Sequence, residues 1–331
     1  MQHSNDNIYF IITIDTESDN AWSKPEVIKL ENLKEIPRFQ DLCEKYKIIP
    51  TYLLSYECVT RDEAVSIFKP ILDRKKCEIG HHLHVWSTPP FQKKSKTEDV
   101  DLEWILSFQY ELPDSLFEEK ASTLKEAIIN NYNVTPTSHR AGRWGIDIRT
   151  TRWLANNEFL VDTSIVPFLN SHIERIRKDK KCKLIYDQSG LNSWKIDDKK
   201  SLIEIPVTVK IPKYFTNTFL TINNPLYLKT IHKINCGKVL RPNPSYPLTF
   251  YPHIINHSIK RKMRIINMML HSSELAYGCS PFSKTKDSTA FIWNALEKTF
   301  QTVNRHKIKS MGASKILSDT PKTTITDMIL D

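Results

Sequence analysis

The chain opens with a continuous apolar run, Ile8-Tyr9-Phe10-Ile11-Ile12-Thr13-Ile14, that ends in Asp15-Thr16-Glu17-Ser18-Asp19. A β-branched and aromatic run without polar alternation is the pattern of a strand buried on both faces of a parallel sheet. Helical periodicity follows over residues 31–47, then a second strand over 51–54 and a second helix over 61–75. A third strand, 76–79, leads into Gly80-His81-His82-Leu83-His84. Further on, the pattern predicts helix 113–132, strand 137–140, helix 146–156, strand 159–162, strand 201–205, strand 264–270 and a closing amphipathic helix over 287–303. Strands alternating with helices predict a parallel α/β architecture. Polar residues recur just past strand C-termini, the edge on which α/β barrels build their sites.

Two stretches interrupt the alternation. Residues 168–200 and 207–260 are rich in Lys, Asn and Pro and read as insertions into a single barrel covering 1–304. Residues 305–331 have weak periodicity and read as a poorly packed tail. The length, 331 residues, suits one barrel of roughly 250–300 residues plus such additions.

Composition narrows the classes. Forty per cent of residues are hydrophobic and 26% charged, as in globular proteins. The net charge of +9 sits largely in solvated runs such as 175–181, and it also suits an anionic substrate or peripheral association with an anionic membrane surface. No nucleic-acid-binding motif is present, which excludes that partner class. The six cysteines have no paired spacing, so neither a disulfide framework nor a zinc knuckle is expected. No apolar run reaches the roughly 18–20 residues that span a bilayer, and residues 1–7 lack a basic-then-apolar leader, so the expected location is the cytoplasm.

The candidate chemistry lies at the strand ends. Asp15 and Glu17, two apart, can point into one cavity, where one ligates metal and the other takes protons. His82 and His84, also two apart, can reach a common ion while His81 points away. Imidazole is the commonest metal ligand, and one carboxylate with two imidazoles leaves positions open for water and substrate, as in catalytic sites. Taken alone, each of these features also fits a loop cap or a surface histidine cluster. Arg140, in Ser138-His139-Arg140-Ala141-Gly142-Arg143-Trp144-Gly145, can hold a carboxylate ionised by a forked hydrogen bond. His271 follows the apolar run 264–270, and Asp162, after 159–161, is placed to orient it as a general acid. Trp86, Trp144 and Tyr52, near the strand ends, are aromatic candidates for stacking on a substrate.

Taken in order, these pieces resemble the polysaccharide deacetylases, the NodB-homology group of carbohydrate esterase family 4, and within it an atypical branch linked to surface-polysaccharide biosynthesis. The resemblance rests on Thr13-Ile14-Asp15-Thr16-Glu17, on Glu78-Ile79-Gly80-His81-His82-Leu83-His84-Val85-Trp86, on Arg140, on Asp162 and on His271 with Ser272-Ser273-Glu274-Leu275. It implies a distorted (β/α)7 TIM-like barrel and hydrolysis of an N-acetyl group on a carbohydrate. It implies Asp15 as base, Glu17 as metal carboxylate, His82 as the first metal histidine, Arg140 as holder of the base and His271 as acid. Trp86 stands where the family has its second metal histidine, so His84 is the substitute. The implied cofactor is a divalent metal, Zn²⁺ first, with Co²⁺, Ni²⁺ or Mn²⁺ as alternatives. A hydrolase of another non-peptide C–N bond and a metal-free carbohydrate-binding pseudoenzyme are the competing readings.

Overall fold

A computed structural model describes residues 8–21, 27–105, 107–167, 194–195, 202–210 and 238–319. The first strand, β1 (Tyr9–Thr16), is buried along all eight residues, as its unbroken apolar pattern demands. It is followed by a 3₁₀ turn (Glu31–Glu35) that runs into α1 (Ile36–Lys45). Then come β2 (Pro50–Leu54), the short α2 (Tyr56–Thr60), α3 (Asp62–Asp73) and β3 (Glu78–Leu83). The next units are α4 (Asp114–Tyr132), β4 (Ser138–Ala141), α5 (Ile148–Asn156) and β5 (Val161–Asp162). Short strands β6 (Trp194–Lys195), β7 (Ile203–Glu204), β8 (Val209–Lys210) and β9 (Lys238–Val239) precede α6 (Phe250–Lys260) and β10 (Ile265–His271). The chain then forms α7 (Lys286–Arg305), β11 (Lys309–Ser310) and α8 (Lys315–Asp319).

Seven strands pair in parallel in the order β10-β1-β2-β3-β4-β5-β7, with β6 antiparallel at the edge and β11 added beside β1. This is the parallel α/β order that the strand–helix alternation predicts, closed into the distorted (β/α)7 barrel that the resemblance implies. Where β7 would meet β10, side chains bridge the gap. Asn267 donates from Nδ2 to the Ile205 carbonyl at 3.1 Å, and its backbone N–H donates to the Thr208 hydroxyl at 2.9 Å.

Register fixes the chemistry. Asp15 lies opposite His271, His82 opposite Arg140, and His139 opposite Asp162, which lies opposite Glu204. Because side chains alternate along a strand, the row that carries His82 and Arg140 faces the barrel interior, and the row with His81 and His139 faces the helices. His81 meets the Ala121 carbonyl of α4 at 3.1 Å and packs beside Trp153 and Phe159.

Three expectations need correction. The histidine segment belongs to β3, which runs on to Leu83; pairing with β4 carries the strand past Gly80. Residues 305–331 are not a loose tail as far as residue 317: β11 pairs with β1, and Met311, Ala313 and Ile316 join Tyr9, Ile11, Val161, Ile203, Ile205 and Ile265 in an apolar cluster that plugs the barrel at the strands' N-terminal end. Glu78 anchors this plug by accepting from the Ser314 N–H, and a Cβ at Gly312 would come within 2.4 Å of the Glu78 carboxylate. Polar sequence hid the plug, since only every second or third residue is apolar. The 207–260 stretch is not wholly an insertion either. Its last part forms β9 and α6, whose Tyr251 packs against Phe291 of α7. Residues 168–193, 196–200 and 211–237 of the two expected insertions, with Cys182 and Cys236, lie outside the described residues, as does Ser201 of the expected strand.

Candidate metal centre and active site

The C-terminal ends of β1, β3, β4 and β10 converge on one cleft lined by Asp15, Glu17, Ala21, His82, His84, Trp86, Ala141, Arg143, Trp144, Arg241 and His271. Its volume is ≈ 100 Å³, about three waters at roughly 30 Å³ each.

Glu17, His82 and His84 bring one ligand atom each to within 4.8 Å of one another, and all three are buried. Glu17 Oε2 lies 3.2 Å from His84 Nε2 and 3.8 Å from His82 Nε2. Ligands at about 2.0–2.1 Å on a tetrahedral ion stand roughly 3.4 Å apart, so this spacing suits one divalent cation. Two further observations support the fit. His82 Nδ1 lies 2.9 Å from the Arg140 carbonyl, to which it donates, an arrangement that leaves the Nε2 lone pair toward the cleft. That buried Nε2 has no hydrogen-bond partner, an expensive state that a cation would relieve. Gly142 makes the packing feasible: a Cβ there would sit 2.5 Å from the Leu83 carbonyl and 2.7 Å from the His84 ring. Trp86 stacks on His84 with centroids 4.2 Å apart and fixes the ring.

Beside this triad, Arg140 is fully buried. It donates from Nη1 to Asp15, from Nε to the Thr163 carbonyl at 2.8 Å, and from Nη2 to the hydroxyls of Thr13 at 2.6 Å and Thr163 at 3.1 Å. Burial alone would push the Asp15 carboxyl up; Arg140, with His82 and His271 behind it, outweighs burial and holds it below its ordinary range. Glu17 is likewise held below its ordinary range, against burial, by His271, His82 and His84. Burial disfavours charge on both metal-side imidazoles. At His82 the neighbouring Asp15 and Glu17 overcome it and raise the pKa; at His84 burial and the adjacent His82 lower it. His81, buried among helix side chains, is pushed down to about 3.

His271 Nε2 faces Asp15 at 3.5 Å and Glu17 at 3.9 Å. Its Nδ1 lies 3.0 Å from Glu274 Oε1 and 3.0 Å from Arg241 Nη2, which also donates to Glu274. Nδ1 cannot accept from the arginine while donating to the carboxylate; the carboxylate, acceptor only when ionised, takes the ring proton.

The expected site residues divide. Asp15, Glu17, His82, His84, Arg140, His271, Trp86 and Trp144 gather around this cleft; Arg140 lies just beneath it, 4.9 Å from the Trp144 ring. Asp162 does not serve His271. Its carboxylate accepts from the N–H of Ser164 at 2.9 Å and the Ser164 hydroxyl at 2.8 Å, and it shares the helix-side row with His139 and Glu204. Burial raises both the Asp162 and the Glu204 carboxyl above the ordinary carboxylate range. Glu274 takes the orienting place, three residues from His271 in sequence. Tyr52 is not in the cleft: fully buried, it packs against Phe39 and Phe68 and donates to Gln40 at 2.9 Å. The sequence reading missed Arg241 and Glu274. The signal for Glu274 was present, a carboxylate at spacing three from a strand-end histidine. Arg241 gave no local signal, because the register of 238–241 against 208 and 269 places it.

No protein-family model matches the chain, and no curated protein matches it in sequence. Solved structures do. A protein of Mycobacterium smegmatis assigned as a polysaccharide deacetylase superposes with a TM-score of 0.54 at 13% identity, over 98% of this chain and 93% of that one. The 4-α-glucanotransferase of Thermococcus litoralis gives a TM-score of 0.54 at 9% identity, over 95% of this chain and 40% of that one. The likeness is one of fold: the chain has the distorted (β/α)7 barrel of polysaccharide deacetylases. Among the described residues no helix is long and apolar enough to cross a membrane.

Proposed function

We propose that this chain is a metal-dependent hydrolase of the polysaccharide deacetylase family that removes an N-acetyl or related acyl group from a carbohydrate, in a surface-polysaccharide or other glycan pathway. One observation carries the reading: a Glu17–His82–His84 ligand set stands beside an arginine-held aspartate and a carboxylate-backed histidine. A fold alone does not choose a chemistry, and a glucanotransferase shares this one; the ligand set favours hydrolysis.

Glu17, His82 and His84 would hold a divalent cation, which when bound would supply Lewis-acid polarisation of an acyl carbonyl and a lowered pKa for water. Two imidazoles and one carboxylate suit Zn²⁺, with Co²⁺, Ni²⁺ or Mn²⁺ as substitutes. Asp15, kept ionised by Arg140, accepts the proton of the attacking water. His271, held at Nδ1 by Glu274, presents Nε2 toward Asp15 and hands a proton to the departing amine. Trp144 and the edge of Trp86 offer apolar surface to the sugar ring at the rim.

The test is acetate and amine release from N-acetylated sugars by Zn²⁺-, Co²⁺- or Mn²⁺-loaded protein, with His271→Ala alongside. Release that falls by orders of magnitude in the variant supports the reading. Loss of metal from His271→Ala would make His271 a ligand. Activity confined to a cyclic amide or a formyl group would retain the hydrolase and change the bond.

A further inference from the structure

The cleft holds more positive charge than acyl hydrolysis needs. Arg143 and Arg241 both line it, in addition to the buried Arg140. Its carboxylates are Asp15, paired with Arg140, Glu17 among the histidines, and Glu274, paired with Arg241. Three carboxylates thus balance three guanidiniums, and a dication in the Glu17–His82–His84 set leaves the cleft two charges positive. Like charges enclosed together raise one another's energy unless an anion lies among them.

The backbone at Arg143 points the same way. Arg143 and Trp144 are consecutive non-glycine residues in the left-handed region, at φ 55° and 61°. Non-glycine residues are strained there, and such strain persists where the surrounding structure imposes the geometry. It lays the Arg143 guanidinium over the Trp86 ring at 4.3 Å, with Nη2 donating to the Ile105 carbonyl at 3.1 Å. Arg241 is likewise fixed, over Phe282 at 4.3 Å and against Glu274, and its buried Nε has no hydrogen-bond partner. Both planar cations are thereby ordered in advance, the condition for tight oxyanion recognition.

We propose that Arg143 and Arg241 form an oxyanion subsite, and that the substrate is an acidic acylamino sugar bearing a carboxylate or a phosphate. This rests on the deacylase reading above. The probes are N-acetylglucosamine, its 1-phosphate and N-acetylglucosaminuronic acid, titrated calorimetrically into Zn²⁺-loaded protein, with amine release followed in parallel. At least one anionic sugar binds about tenfold or more tighter than the neutral one, and the stronger of the two tells phosphate from carboxylate. Arg143→Asn, which tolerates the left-handed backbone, lowers that affinity about tenfold without changing metal content, and Arg143→Lys recovers part of it. Equal affinity for all three sugars, no binding of either anionic sugar, or an equal loss for all three in Arg143→Asn overturns the subsite. Amine release from the neutral sugar at an undiminished rate would sink the subsite and keep the hydrolase. Tight anionic binding with no amine release from any sugar would keep the subsite and sink the hydrolase.

Discussion

Replacing Arg140 by methionine removes the group on which the ionised state of Asp15 depends. Methionine fills much of the same space, so a cavity contributes little. What remains is a buried carboxylate that has lost its arginine and a Thr163 carbonyl that has lost a 2.8 Å donor. Leaving one partner of a buried ion pair behind costs about 3–5 kcal/mol, so the variant should lose about 4 kcal/mol at neutral pH, roughly 8 °C in Tm at ~2 °C per kcal/mol for a chain of this length. Adding Asp15→Asn should recover about half, because it removes the stranded charge. The pH dependence has a definite sign. Without Arg140, burial dominates and lifts the Asp15 pKa above its unfolded value, so folded Asp15 takes up a proton as pH falls. The deficit should therefore shrink from pH 7 to pH 5. Urea denaturation of the four proteins of this cycle at both pH values measures it. A loss below about 1 kcal/mol, a deficit independent of pH, or full additivity of the two substitutions would refute the argument.

Four further outcomes follow from the same physics. Ile316→Ala should cost about 2–5 kcal/mol by urea denaturation, whereas a loose tail would give less than about 0.5. Asp15, Glu17 and Glu274 are held below their ordinary pKa values, so their stabilisation is present above about pH 4.5 and is lost as pH falls below it. The raised Asp162–Glu204 pair works in the opposite sense, costing stability as pH rises through the ordinary carboxylate range; Glu204→Gln should flatten that decline between about pH 4.5 and 7, and an unchanged slope would mean that the pair is not protonated. Tyr52→Phe should leave sugar affinity unaltered, since the hydroxyl meets only Gln40 behind the sheet; a lowered affinity would return Tyr52 to the cleft.

How much of this was legible in the sequence follows from how local each signal is. The buried strands and their order were readable because continuous apolar runs in β1 and β10 leave little alternative. Period-two spacing puts His82 and His84 on one side with His81 turned away, and Asp15 and Glu17 on one side of their own strand, because strand alternation needs no knowledge of the partner strand; the choice of Glu17 as the metal carboxylate came from the family resemblance. Asp162 was misplaced for the complementary reason. Which strand face a residue occupies relative to a distant histidine depends on register, and β5 contributes only two residues to pairing. Tyr52 was misread because an aromatic within a short strand fits the core and the cleft equally well until register puts it beside Phe39 and Phe68. Arg241 enters from a segment whose polar composition masked a strand.

The central claim is that Glu17, His82 and His84 hold one divalent cation. Elemental analysis of the purified protein, beside a His82→Ala, His84→Ala double variant that remains folded by circular dichroism, tests it most directly. About one equivalent of zinc or a similar metal is expected in the native protein and none in the variant. A native protein that takes up no metal after incubation with Zn²⁺, Co²⁺ or Ni²⁺, or a double variant that keeps its equivalent, would contradict it; the first result would leave a carbohydrate-binding barrel without hydrolytic chemistry.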